Sequence, residues 1–180
     1  MIVQPQPSSD FAARVLQIPK NVHATVQFSA NDNKLDITKV KGESVKHLLL
    51  KALLWAIIAK ENHANTSVEK DIGFRYTPDV VALDHKGEPM WWGECGSVSK
   101  VKLKHLTDSL PRTRFTLAKW GRSDVRGYAA SLRSELKLPR YGPIDVISFP
   151  DDSPLLFVRD DGSIDVTFDE LYCLGRVERV

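Results

Sequence analysis

Thr77-Pro78-Asp79-Val80-Val81-Ala82-Leu83-Asp84-His85-Lys86-Gly87-Glu88-Pro89-Met90-Trp91-Trp92-Gly93-Glu94-Cys95-Gly96 reads as a β-hairpin. The turn signal is Asp84-His85-Lys86-Gly87, flanked by runs rich in Val, Leu and Trp. With the turn centred between Lys86 and Gly87, Asp79 lies opposite Glu94 for a two-residue loop and for a four-residue loop alike. Side chains directly opposed in an antiparallel pair have Cβ atoms about 4.5–5.5 Å apart. Two carboxylates at that separation repel, and a strand has no structural need of them. A divalent cation between them supplies a reason, because Mg²⁺ takes hard oxygen ligands, commonly one or two carboxylates completed by water and phosphate. An ion pair of this acidic couple with Arg75 or Lys102 is the competing explanation.

Moving outward, the chain alternates helix and strand patterns. Residues 22–29 and 34–40 read as two short strands around Asn31-Asp32-Asn33. Val45, Leu48, Leu49, Ala52, Leu53, Ala56 and Ile57 follow the spacing of one buried helical face. Glu43 stands at the head of that helix, where negative charge suits the macrodipole, and residues 62–67 read as a polar loop that ends it. After the hairpin, Ser97 and Ser99 are candidate caps for a short helix carrying Leu103, Leu106 and Leu110, stopped by Pro111. Residues 114–119 alternate as a strand, and Ser123 can cap a helix running to Leu136. Residues 144–149 form a buried-type strand, and residues 155–159 and 163–168 read as a C-terminal hairpin around Asp160-Asp161-Gly162. Residues 1–20 hold three prolines and no clear period, which suggests an extended arm ahead of a single domain over 21–180. The fold class expected is α/β (α+β), a mixed β-sheet flanked by helices with an extra N-terminal strand pair.

At 180 residues, 42% hydrophobic and 27% charged, the composition is that of a folded globular domain rather than a disordered chain. No apolar run approaches the ~20 residues of a membrane span, and no secretory signal is evident. Two cysteines, Cys95 and Cys173, cannot make a disulfide framework, and the five histidines show no zinc spacing. A cytoplasmic, reducing setting is therefore expected. The net charge of +2 hides an asymmetry. Residues 99–140 carry eleven Lys and Arg against three acids, and residues 141–180 carry three against nine. The basic segment is either a face for a polyanion or the partner of the acidic one.

The ordered set of Glu43, Pro78-Asp79-Val80, Trp92-Gly93-Glu94-Cys95-Gly96, Lys102 and Lys104, and the acidic end Val166-Thr167-Phe168-Asp169-Glu170-Leu171 resembles the PD-(D/E)xK nuclease superfamily. Within it the set is similar to the YaeQ-like family, over residues 20 to 172. The resemblance implies a restriction-endonuclease-like sheet and metal-dependent phosphodiester hydrolysis of a nucleic acid. Asp79 and Glu94 would bind Mg²⁺ or Mn²⁺ with help from the Cys95 carbonyl, and Glu43 would hold a second ion or a metal-bound water. The superfamily places a Lys two residues after the Glu, and here that position is Gly96. A migrated cation is implied. Lys100, Lys102 and Arg75 are candidates, and Lys102 falls on the matching basic position. Arg75, Lys100, Lys104, Arg112, Arg114 and Arg122 would then contact nucleic-acid backbone, giving affinity without sequence preference. The alternative is a catalytically silent member of the same fold that binds nucleic acid or protein.

Overall fold

The computed structural model describes residues 10–61, 65–121, 124–136 and 141–180. Strands β1 (Ala24–Ala30) and β2 (Asn33–Lys39) pair antiparallel. Asn31 and Asp32 both have positive φ, 47° and 61°, as a two-residue turn matching strand twist requires. Helix α2 (Val45–Lys60) follows, with Ser44 accepting the His47 N–H at 3.2 Å as its cap. Glu43 precedes that cap rather than lying in the first turn.

The sequence spacing predicts one buried face for α2, yet every residue from Leu48 to Ala59 is buried. The helix contacts β1 and β2 as well as strands of the main sheet, so it is covered on both sides. A helix apolar all round is the kind that can occupy such a place.

The main sheet has six strands in chain order: β3 (Thr66–Val68), β4 (Val80–Leu83), β5 (Pro89–Cys95), β6 (Arg114–Trp120), β7 (Ile144–Phe149) and β8 (Val177–Arg179). The pairs β5–β6 and β6–β7 are parallel, and the outer pairs are antiparallel. Helices α3 (Lys100–Ser109) and α4 (Val125–Glu135) make the two parallel crossovers. They pack over Trp92, Phe115, Leu117, Ile144 and Val146 on one face. The opposite face, with Val80, Trp91, Cys95 and Phe149, packs on α2. Gly93 permits that approach, since a Cβ there would stand 2.6 Å from the Leu54 Cδ2 atom.

The central hairpin keeps the register that its turn implies. Val80 pairs with Gly93, Val81 with Trp92 and Ala82 with Trp91. A bulge then passes over Met90 and brings Leu83 opposite Pro89.

Several short elements differ from expectation. Residues 10–16, expected in an extended arm, form helix α1 (Asp10–Leu16), which buries Ala12 and Val15. Thr66 and Ser67, expected in a loop, pair with β4. The C-terminal hairpin shrinks to one antiparallel bridge, Val158 to Ile164, because Ser29 also pairs with Ser163 and ties this turn to β1. Helix α5 (Ser153–Phe157) takes the start of the first expected strand, the second is irregular beyond the Ile164 bridge, and helix α6 (Phe168–Cys173) begins at its end through a Thr167–Glu170 capping box. Asp124 caps α4, accepting from Gly127; Ser123 lies outside the described residues. No described helix is long and apolar enough to cross a membrane.

Candidate functional site

The hairpin delivers Asp79 and Glu94 to the C-terminal end of β5, where the heads of α2 and α3 converge. Ligands of open α/β sheets commonly bind outside the carboxyl ends of the strands. Asp79 Oδ2 accepts the backbone N–H of Cys95 at 2.6 Å, which fixes the carboxylate across the hairpin. Asp79 Oδ1 lies 3.8 Å from His47 Nε2, in the first turn of α2. Glu94 is nearly buried, its side chain 5% exposed. The Trp92 ring N–H, two residues back on the same strand face, donates to Glu94 Oε1 at 2.8 Å. The Lys102 ammonium donates to Oε2 at 2.6 Å.

Burial pushes the Glu94 pKa up, and the charge of Asp79 adds to the effect; hydrogen bonds from Lys102 and Trp92 oppose it without cancelling it. Lys102 is aimed by α3, whose Ser99 cap accepts the Lys102 N–H. The Cys95 thiol is buried on the opposite sheet face. Burial there holds its pKa well above the ordinary value, so the thiol is a core group and not a nucleophile.

Gly96 stands where the resemblance would expect a lysine. Its φ is +77°, so the chain has left extended geometry by this residue and β5 ends at Cys95. A lysine there would be strained and would not continue the face of Glu94. The nearby cations come from other elements: Lys102 from α3, and Lys119 of β6, whose ammonium donates to the Gly96 carbonyl.

Glu43 meets a different partner. Its Oε1 accepts from Lys51 at 2.6 Å and its Oε2 from the Val40 N–H at 3.2 Å. Lys51 is fully buried within α2 and also donates to Glu69 at 2.9 Å. Burial drives the Lys51 pKa down, but the hydrogen bonds to Glu43 and Glu69 outweigh it and leave the group above its ordinary value. Glu69, at φ 50°, donates its N–H to the Asp79 carbonyl and so braces the same corner. The site thus includes His47, Lys51, Glu69 and Lys119, none of which the sequence reading assigned to it. One signal was present: His47 and Lys51 are four residues apart and share a helix face amid apolar neighbours.

The expected basic surface is divided. Lys100 pairs with Glu135 at 2.6 Å and Lys104 with Asp108 at 2.8 Å. Arg114, opposite Trp91, lies about 10 Å along the sheet from the Glu94 level. It stacks on Trp91 and Phe168 and binds Asp145 and Glu61. Arg114 is therefore part of the frame, and Arg112 precedes it at that same far end. Arg75 adjoins the site through Tyr76. Arg122 lies outside the described residues.

As a test of metal fit, Asp79 and Glu94 offer hard oxygen donors suited to Mg²⁺ or Mn²⁺. Among the described residues no group of three or more His, Cys, Asp or Glu converges as a metal cage. The donor set fits an ion that completes its shell with water and phosphate.

A mixed sheet with a carboxylate pair and a lysine at the end of its central strands defines the class of fold and site. No family model and no curated protein matches the chain. The fold is similar to the crystal structure of a YaeQ protein from Pseudomonas syringae, at 16% identity and a TM-score of 0.54, over 75% of this chain and 76% of that one. A YaeQ protein from Xanthomonas axonopodis pv. citri matches at 15% identity and a TM-score of 0.46, over 73% and 74%.

Proposed function

We propose that this chain is a YaeQ-like member of the PD-(D/E)xK superfamily and a metal-dependent nuclease. The observation that carries the reading is the meeting of three groups from separate elements: Asp79 ahead of β4, Glu94 on β5, and Lys102 of α3 at 2.6 Å from Glu94. Asp79 and Glu94, with the Cys95 carbonyl, would hold Mg²⁺ or Mn²⁺, which when bound polarises a phosphate and acidifies water. Asp79 is oriented by the Cys95 N–H and Glu94 by the Trp92 ring N–H. Lys102 places a positive charge where phosphate charge develops, and its partial burial strengthens that effect. Lys51 holds Glu43 and Glu69, so Glu43 supports the corner through that buried cation.

The test is a calorimetric Mn²⁺ titration of wild type beside Asp79→Asn, followed by cleavage assays on single- and double-stranded DNA and RNA. The expected result is binding of about one ion that the variant loses, and Mn²⁺-dependent cleavage. Equal affinity in both proteins overturns the reading. A second reading, a silent binding protein, is favoured by the same Lys102–Glu94 pair, since the lysine already neutralises the carboxylate. Absence of Mn²⁺ binding in the wild type selects it.

A further inference from the structure

The loop that enters the site carries three consecutive residues, Phe74-Arg75-Tyr76, that pack on the partners of Glu94 rather than on the carboxylates themselves. Phe74 leans edge-on against Trp92, with ring centroids 6.0 Å apart, and remains 36% exposed. Trp92 in turn binds Glu94. Arg75 lies over the Tyr76 ring at 5.4 Å, and the Lys102 ammonium lies 5.5 Å from the same ring centroid. His105 of α3 closes on Tyr76 edge-on at 5.7 Å. Arg75 has no carboxylate partner among the described residues, whereas Lys100, Lys104 and Arg114 are each paired. An exposed aromatic ring and an unneutralised guanidinium therefore stand beside the Glu94–Lys102 pair.

We propose that Phe74, Arg75 and Tyr76 form a clamp for single-stranded nucleic acid, Phe74 stacking on an unpaired base and Arg75 meeting the adjoining phosphate. The proposal deepens the nuclease reading of the same site by naming its substrate class. Stacking on an aromatic ring needs a base whose face is free, and a duplex hides its base faces in the stack. Base–aromatic stacking tolerates any sequence. Trp91 and Trp92 cannot serve in this way, being 1% and 0% exposed. The Arg75 guanidinium, lying over Tyr76, carries a planar fork of N–H donors suited to phosphate oxygens.

The experiment is equilibrium binding by fluorescence anisotropy with chelator present, so that no metal contributes. The probes are a fluorescein-labelled oligothymidylate of about 12 nucleotides and the same strand annealed to its complement. Wild type should prefer the single strand by about tenfold or more. Phe74→Leu keeps an apolar contact with Trp92 but loses the flat ring, and should weaken single-strand binding about tenfold. Arg75→Ala should weaken it as well and lower the slope of log affinity against log salt by about 0.7. Arg126→Ala, an exposed guanidinium on α4 paired with Glu178, should bind as wild type does. Equal affinity for strand and duplex, full affinity in Phe74→Leu, or no binding of either probe overturns the clamp. The two readings fail separately. Loss of the Mn²⁺ result with Phe74-dependent strand binding intact removes the nuclease reading and keeps the clamp. Mn²⁺ binding with an unaffected Phe74→Leu does the reverse.

Discussion

Glu94 is held in a state that costs the fold something at neutral pH. Its folded pKa lies above the ordinary carboxylate value of 4.5, with burial the first cause. A carboxyl so shifted contributes stability that is fully present below its unfolded pKa and is lost as pH rises through the folded value. Above that window the ionised group opposes folding. Glu94→Gln keeps a carbonyl for Trp92 and removes the buried charge, so at pH 7 it should melt at or above wild type. The advantage should vanish below pH 4.5. Thermal melts at the two pH values decide the matter, and a variant melting well below wild type at pH 7 would show that the Lys102 ion pair outweighs burial. The Asp79–Glu94 placement was legible from residue numbers because a turn centre and a period of two settle which side chains oppose. The attachment of Lys102 was legible only as a choice among cations, since no count along the chain measures the reach of a helix residue to another element. Gly96 was legible as a departure from the pattern that the sequence resembles. Its reason, a positive φ at the strand end, belongs to the backbone.

At the scale of elements, α2 carries the largest discrepancy between pattern and structure. Its apolar spacing identified the helix, but a one-sided stripe would have left Lys51 in solvent, and Lys51 is fully buried. The strand pair β1–β2 closes the second side, and no local signal says where a separate sheet will dock. The ion triad follows from that burial. Lys51 is 0% exposed and its partner Glu43 only 10%. Removing one member of such a pair costs about 3–5 kcal/mol. Lys51→Met should fall in that range by urea denaturation at pH 7, and Lys51→Met with Glu43→Leu should recover part of the loss because no lone buried charge remains. A single variant as stable as wild type would contradict the triad's role. The pH arm has a definite sign. The folded Lys51 pKa exceeds 10.5, so its stabilisation is complete below that value and fades only as pH climbs past the folded one. Short elements such as β3, β8, α5 and α6 escaped the sequence reading because three to six residues carry too little periodicity. Pairing partners decide them, as when Val177 of β8 joins Ile147.

At the scale of the whole molecule, the charge asymmetry of the sequence partly cancels across the fold. Arg114 from the basic segment binds Asp145 of the acidic one, and Arg126 binds Glu178. The polyanion face therefore cannot be read from net charge by segment. The two hydrophobic cores raise a further question, whether the faces of the sheet fold as one unit. Strands β6 and β7 feed both: Phe115, Leu117, Ile144 and Val146 enter one core, and Ala118, Ile147 and Phe149 the other. Neither core can lose its strands without stripping the other, so a single cooperative transition is expected. Trp55, Trp91 and Trp120 belong to the α2 side and Trp92 to the α3 side. In Trp92→Phe, fluorescence therefore reports the α2 side alone, while far-UV circular dichroism reports helices on both faces. The two urea midpoints should coincide. A dichroism step separated from the fluorescence step would mean that α3 and α4 detach independently, releasing Lys102 from Glu94 while the carboxylate pair and α2 stay folded.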